Sequence, residues 1–333
     1  MEKKRNMVAI VTMCFIFAMI SFVTNMAAPF GNIWKHNYSW AGMMGNMMNF
    51  AASLFMGIPA GKMLVKIGYK KTTLVALAVG FLGIVVQWLS SRTFLGGSAI
   101  YVYLLGAFIC GFCVCMLNTV VNPMLNLLGG GGNKGNQLIQ LGGSLNSLSA
   151  TLTPFVVGML IGAVTDTTSM DDVAPLLWIA MGVFAVVFTI ISFTPIPEPH
   201  LKSGEHEVEY KVHDKYSAWS FRHTVLGVVG IFLYVGIEIG VPGVLIFYLS
   251  DSAASGITEG ATAVAGAVAA IYWLLMLVGR LSSSLISGAV SSRVQLMVTS
   301  ATAIVFILLA IFLPSSIRIL MPSYSVTEGF AMA

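Results

Sequence analysis

Apolar residues occupy this chain in long runs, and the polar positions that interrupt them are few. Runs of spanning length cover about 7–29, 40–60, 72–91, 99–128, 137–164, 174–195, 223–250, 261–288 and 294–314. A helix needs about 20 such residues to cross a bilayer, so the pattern predicts nine membrane-spanning helices. The runs at 99–128 and 137–164 exceed one bilayer, which points to tilt or to helix extending beyond the lipid. An open sheet edge would leave backbone groups unsatisfied in lipid. The expected fold class is therefore an all-α polytopic membrane protein.

One long polar stretch breaks the series, "PEPHLKSGEHEVEYKVHDKYSAWSFR" at 197–222. Its prolines and mixed charges mark a linker. The chain divides on this basis into a six-helix half at 1–195, a linker at 196–222, three further helices at 223–314 and a short tail at 315–333. Three plus three spans nested in each half is the repeat pattern of many secondary transporters. The second half stops at its third span, so a fragment or a truncated reading frame is expected.

Composition agrees with burial in lipid. Hydrophobic residues make up 57% of the 333 and charged residues only 9%, against about 25% charged in soluble domains. Mean hydropathy is +0.88. The apolar part of the N-terminal run is too long for a secretory signal, and no cleavage site precedes a soluble region. With the N-terminus inside, 14 Lys and Arg fall on the inner side, Arg280 among them, and three on the outer side, Lys35, Arg92 and Arg318. That asymmetry places the N-terminus in the cytoplasm, and Asp166, Asp171 and Asp172 then lie outside. A net charge of +4 gives no reason to expect nucleic acid. Cys14, Cys110, Cys113 and Cys115 all sit in apolar runs without acidic or histidine partners, so packing is expected rather than metal or disulfide. His200, His206 and His213 fall in the solvated linker. No cofactor and no metal is implied. The spans hold no nucleophile–base pair, so an enzyme is not expected.

Polar residues inside spans are costly and mark candidate function. Of 13 carboxylates, only Glu238 lies deep in a span, with Tyr234 one turn before it and Pro242 one turn after. Desolvation favours the protonated form of such an acid, which makes Glu238 the proton-coupling candidate. Asn118 and Asn122 stand four apart on one face of the fourth span, and Asn126 drifts toward the cytoplasm. An amide both donates and accepts, which suits sugar hydroxyls and interhelical bonds equally. Asn118 is the cavity candidate. Asn122 precedes Pro123, whose missing N–H frees a carbonyl, so both are read as structural. Asn25, Gln140 and Asn146 are further amide candidates. Asn46 and Asn49 are the same kind of residue, and Gly143, Ser144 and Ser147 form a small-residue face with Gln140. Trp273 or Tyr272 can supply an aromatic platform. The "GGGGNKG" stretch lacks Walker spacing and reads as a turn.

The segment "GIPAGKMLVKIGYKKTT" resembles the loop between spans two and three of the major facilitator superfamily. Gly61, Lys66, Gly68, Lys70 and Lys71 fit, while Val65 replaces an acid. Gly61 and Gly68 are expected to allow close approach. "LNTVVNP" at 117–123 is similar to the fourth-span signature L-E-T-x-x-N-P of the fucose–hexose–proton symporter family, with Asn118 in place of the acid. "YVGIE" and "YWLLMLVGR", which ends at Arg280, are similar to that family's seventh and eighth spans. Asn146 and Ser147 match part of a fifth-span Q-x-x-N-S segment in which Gly143 replaces the glutamine. The resemblance implies a secondary-active permease for a hexose such as glucose, galactose or fucose, working by alternating access in a bacterial inner membrane. Its partners would be a small-molecule sugar, the lipid bilayer and a proton. The family's acids in spans one and four correspond to Asn25 and Asn118, neither of which can carry a proton. Coupling would pass to Glu238, to another ion, or to none. Alternatives are a permease or exporter of another polar solute, a non-transporting membrane sensor, or an inactive truncated product.

Overall fold

A computed structural model describes residues 2–38, 40–161, 170–198, 217–250, 255–256, 261–313, 322–325 and 329–332. His200, His206, His213, Asp166 and Arg318 lie outside the described residues, as does most of the 196–222 linker. Eight α-helices are described: α1 Glu2–Asn37, α2 Met44–Leu89, α3 Ala99–Leu128, α4 Gly132–Ile161, α5 Ala174–Phe193, α6 Arg222–Ser250, α7 Ala261–Ile286 and α8 Ser292–Phe312. The tail carries a short antiparallel pair, Pro322–Ser325 with Gly329–Met332. Among the described residues, seven of these helices contain a window long and apolar enough to cross a membrane. α4 has 30 residues and is about 45 Å long. The chain is an integral membrane protein.

The second and third predicted spans meet at a sharp backbone break rather than at a long loop. Both fall in α2, whose 46 residues form two limbs, 44–67 and 69–89, each about 30–36 Å long and so each close to the roughly 30 Å hydrocarbon core. The lysines at 62, 66, 70 and 71 stay helical because their stems can lie along apolar surface while the ammonium reaches water. One residue breaks the run: Gly68 has φ 85° and ψ 175°, a conformation open essentially to glycine alone. Gly61 is a correction to the expected close approach. A Cβ built there meets nothing within 4 Å.

Both limbs of α2 flank α3. In the first limb, Gly45 lies under the Tyr103 ring and the Ser53 carbonyl accepts from Cys115 Sγ at 3.8 Å. In the second, a methyl at Gly83 would stand 2.7 Å from Cys110 Sγ, and one at Gly106 would stand 2.7 Å from the Gln87 nitrogen. Small residues let backbones close up where lipid offers no hydrophobic drive. Around this seam, Met13, Ile16, Met26 and Phe30 of α1, Leu117, Val120 and Met124 of α3, and Leu176, Leu177 and Phe184 of α5 form a continuous buried core. The turn from α3 to α4 occupies Gly129–Gly131, and Gly130, Gly131 and Gly132 all have positive φ (79°, 74° and 55°). Three of the four glycines in the row are thus explained by backbone conformation.

By proximity the chain groups into two compact units. One comprises Met1–Lys202 with Met276–Thr299, the other Ser203–Leu275 with Ser300–Ala333.

Candidate functional site

Within the first unit, α3 turns an apolar face inward through Met116, Leu117, Val120, Val121 and Met124, all buried. Asn118, Thr119 and Asn122 are half-buried. The Asn122 amide donates to the Asn118 carbonyl at 3.0 Å. The carbonyl that Pro123 frees is that of Thr119, four residues back, so Asn122 braces the turn one residue away from the expected position. The Asn118 side chain makes no hydrogen bond among the described residues. Asn126 is exposed, beside the glycine turn.

The other amides divide the same way. Asn25 on α1 is half-buried, and its nitrogen donates to the Ser21 carbonyl at 2.8 Å and to the Ser21 hydroxyl at 3.1 Å. Asn146 on α4 donates to the Phe17 carbonyl at 3.0 Å, a tie between α4 and α1. In both residues the donor is engaged and the amide oxygen remains to accept. The Gln140 side chain makes no hydrogen bond among the described residues, while its carbonyl accepts from Ser144 at 2.8 Å. Between α1 and α4 lies a groove of about 240 Å³ lined by Ala18, Phe22, Leu145, Ser149, Leu152 and Thr153, among others. It is apolar, and the Thr153 hydroxyl is already bonded to the Ser149 carbonyl at 2.7 Å. Asn25 and Asn146 stand one turn from this lining but do not form it.

Within the second unit, Glu238 is half-buried on α6. Pro242 cannot donate to the carbonyl four residues before it, which is the carbonyl of Glu238. The Tyr272 hydroxyl of α7 supplies the missing donor at 3.0 Å. Tyr272, read from sequence as a possible platform, therefore ties α7 to the proline break beside the intramembrane acid. Trp273 is half-buried and meets the Tyr272 ring edge-on with centroids 5.4 Å apart.

Two features escaped the sequence. Glu198, just after α5, accepts from the Tyr69 and Lys70 backbone nitrogens at 2.8 and 2.7 Å, while Lys70 Nζ donates to the Ser192 carbonyl at 2.7 Å. Arg280, counted with the inner charges, lies inside α7, and its Nη1 donates to the Gly143 carbonyl and the Ser147 hydroxyl of α4, both at 3.0 Å. The Pro-Glu-Pro run at 197–199 and the Gly143 substitution were the only sequence signals, and neither identifies a partner.

Comparison with known proteins places these elements in a family. A glucose/galactose transporter of Brucella abortus is 30% identical over 288 residues, covering 83% of this chain and 66% of the relative. A putative glucose/galactose transporter of Helicobacter pylori is 27% identical over 337 residues, covering 96% of this chain and 77% of the relative. The chain thus spans just under two thirds of the Brucella relative's length. The crystal structure of FucP in the outward conformation superposes with a TM-score of 0.67 at 18% identity, covering 86% of this chain and 73% of that one. The family model described as Major Facilitator Superfamily matches residues 8–333, and the chain belongs to that superfamily.

Proposed function

We propose that this protein is a secondary-active sugar permease of the bacterial inner membrane, with its N-terminus in the cytoplasm and a hexose such as glucose, galactose or fucose as substrate. One observation carries this reading: the Asn118 and Gln140 amides sit at half-buried positions of α3 and α4, with their side chains uncommitted among the described residues. Buried amides normally find partners, and a sugar hydroxyl supplies both a donor and an acceptor. Asn25 and Asn146 add acceptor oxygens, and Trp273 offers an apolar ring. The printed names of the relatives, glucose/galactose transporters and a fucose:proton symporter, support the same substrate class. Transport proceeds by alternating access, with the six-helix half and the later helices rocking about a midplane site. Glu238 carries the coupling proton, since Asn25 and Asn118 hold none.

The test is entrance counterflow of labelled glucose, galactose and fucose in proteoliposomes. Asn118→Ala and Gln140→Ala should each weaken apparent affinity about tenfold, the cost of one hydrogen bond of roughly 1.4 kcal/mol. Absence of counterflow with every hexose, in protein shown to be folded, overturns the substrate assignment and leaves another polar solute. Glu238→Gln should abolish sugar-driven proton uptake while counterflow persists. Unchanged proton uptake removes Glu238 from coupling.

A further inference from the structure

The C-terminal end of α2 carries a cation that the helices around it do not satisfy. Arg92 follows the helix, half-buried, with its backbone extended. Its guanidinium lies over the Trp88 ring, 4.1 Å from the centroid. Trp88 in turn meets Trp178 of α5 edge-on, with centroids 5.1 Å apart and ring planes at 65°. Two donors in this stack, Arg92 Nε and the Trp88 indole nitrogen, are shielded and make no hydrogen bond among the described residues. The nearest hydroxyls turn back on their own helix: Ser90 donates to the Gln87 carbonyl at 2.6 Å and Ser91 to the Trp88 carbonyl at 2.8 Å. Three crossings, α1 and the two limbs of α2, separate the stack from the N-terminus.

Other cations set among the helices find acceptors. Lys70 reaches the Ser192 carbonyl, and Arg280 reaches Gly143 and Ser147. Arg92 makes no such bond among the described residues, although a guanidinium drawn flat against an indole has given up part of its water. Polar groups withdrawn from water without partners are costly. The ring attracts the face of the guanidinium but offers nothing to its N–H edge. An acceptor is what is missing, and the guanidinium fork matches the paired oxygens of a phosphate. The stack also stands at the depth where such oxygens occur. Trp88 and Trp178 lie near the ends of apolar spans, where indoles mark the headgroup level. Trp178 is 56% exposed, and Ile179 and Val186 of the same helix are exposed with it, so the stack opens sideways to lipid. An Arg that only snorkels extends away from apolar surface into water; this one folds back over the ring. Asp171 and Asp172, exposed just before α5, favour a headgroup that carries an ammonium beside its phosphate.

We propose that Arg92, Trp88 and Trp178 form a phospholipid headgroup site on the membrane face opposite the N-terminus. The Arg92 N–H edge holds the phosphate diester of a zwitterionic aminophospholipid, and the indoles flank its glycerol and first acyl carbons. The site stands independently of the permease reading. Its test is thermal denaturation of the detergent-solubilised full chain with added phosphatidylethanolamine, diacylglycerol or inorganic phosphate. Phosphatidylethanolamine should raise the melting temperature saturably, as a ligand of the folded state does; diacylglycerol and inorganic phosphate at the same concentrations should not. Arg92→Gln should raise the half-saturating lipid concentration about tenfold, the effect of losing bonds from a charged donor. Arg92→Lys keeps the charge without the fork and should fall between. An equal shift with diacylglycerol shows that acyl chains alone suffice and overturns the site. A matching shift with inorganic phosphate overturns the lipid as its occupant. A folded Arg92→Gln protein that answers the lipid as the parent does overturns the role of the guanidinium. If Arg92→Gln yields no folded protein, Arg92→Lys decides in its place, and a half-saturating concentration equal to the parent's overturns the site.

Discussion

Glu198 offers a prediction whose size can be worked from geometry. Gly68 interrupts α2, so the second limb begins afresh at Tyr69, and its first N–H groups have no acceptor within the helix. The Glu198 carboxylate takes two of them, Tyr69 and Lys70, at 2.8 and 2.7 Å. Both bonds are charge-assisted, and the charge faces the positive end of the helix dipole. Loss of an N-cap acceptor costs about 0.5–2 kcal/mol, and loss of the dipole interaction about 0.3–1 kcal/mol more. Glu198→Ala should therefore destabilise the protein by about 1–3 kcal/mol. At roughly 2–4 °C per kcal/mol, that lowers the temperature at which detergent-solubilised protein loses its monodisperse elution peak by several degrees. Glu198→Gln keeps one acceptor oxygen and should fall between. Gly68→Ala forces a side chain into a glycine-only conformation at a cost of about 1–3 kcal/mol and should disrupt the same junction. Combined with Glu198→Ala, it should lose less than the sum of the two, because both act on one helix start. A Glu198→Ala protein that matches the parent, or strict additivity in the double variant, would refute the capping argument.

The remaining expectations concern single helix contacts. Gly106→Ala places a methyl 2.7 Å from the Gln87 nitrogen, and should lower thermal stability and yield more than an alanine at Gly61, where the space is open. Tyr272→Phe leaves the Glu238 carbonyl without its donor and should cost about 1 kcal/mol; an unaltered melting temperature would show that the carbonyl finds water instead. Asn146→Ala removes the tie to Phe17 and should cost about 0.6–1.7 kcal/mol. If Asn146 only braces α1, sugar affinity will hold once folded protein is counted; a loss of affinity exceeding the loss of stability marks a substrate contact.

The spans were plain in the sequence because lipid imposes one requirement along the whole chain, a run of apolar residues long enough to cross it. The glycine turn after Leu128 was equally plain, since consecutive glycines state a backbone need directly. That the lysine-bearing segment stays helical right up to Gly68 was hidden because lysines read as loop residues in a hydropathy pattern, although their stems tolerate a helix surface. Glu198 and Arg280 were hidden for another reason. Each partner lies more than a hundred residues away, and a pattern along the chain carries no information about which turn a long side chain will reach. The amides fell between these cases. Their presence in spans announced importance, but only coordinates separated Asn122 and Asn146, whose donors are spent on backbone, from Asn118 and Gln140.

The glycine-lined seam between α2 and α3 has a practical side. Cys110 and Cys113 are buried in it and Cys14 is buried in α1, while Cys115 is half-buried with its sulfur turned to the Ser53 carbonyl. A thiol locked between closely spaced backbones presents little surface to a bulky electrophile. Impermeant maleimides and spin labels should therefore react slowly with the native cysteines and rapidly with one introduced at a water-facing position. The protein carries a quiet chemical background of its own, and site-directed labelling can begin from the natural sequence without first stripping its sulfur.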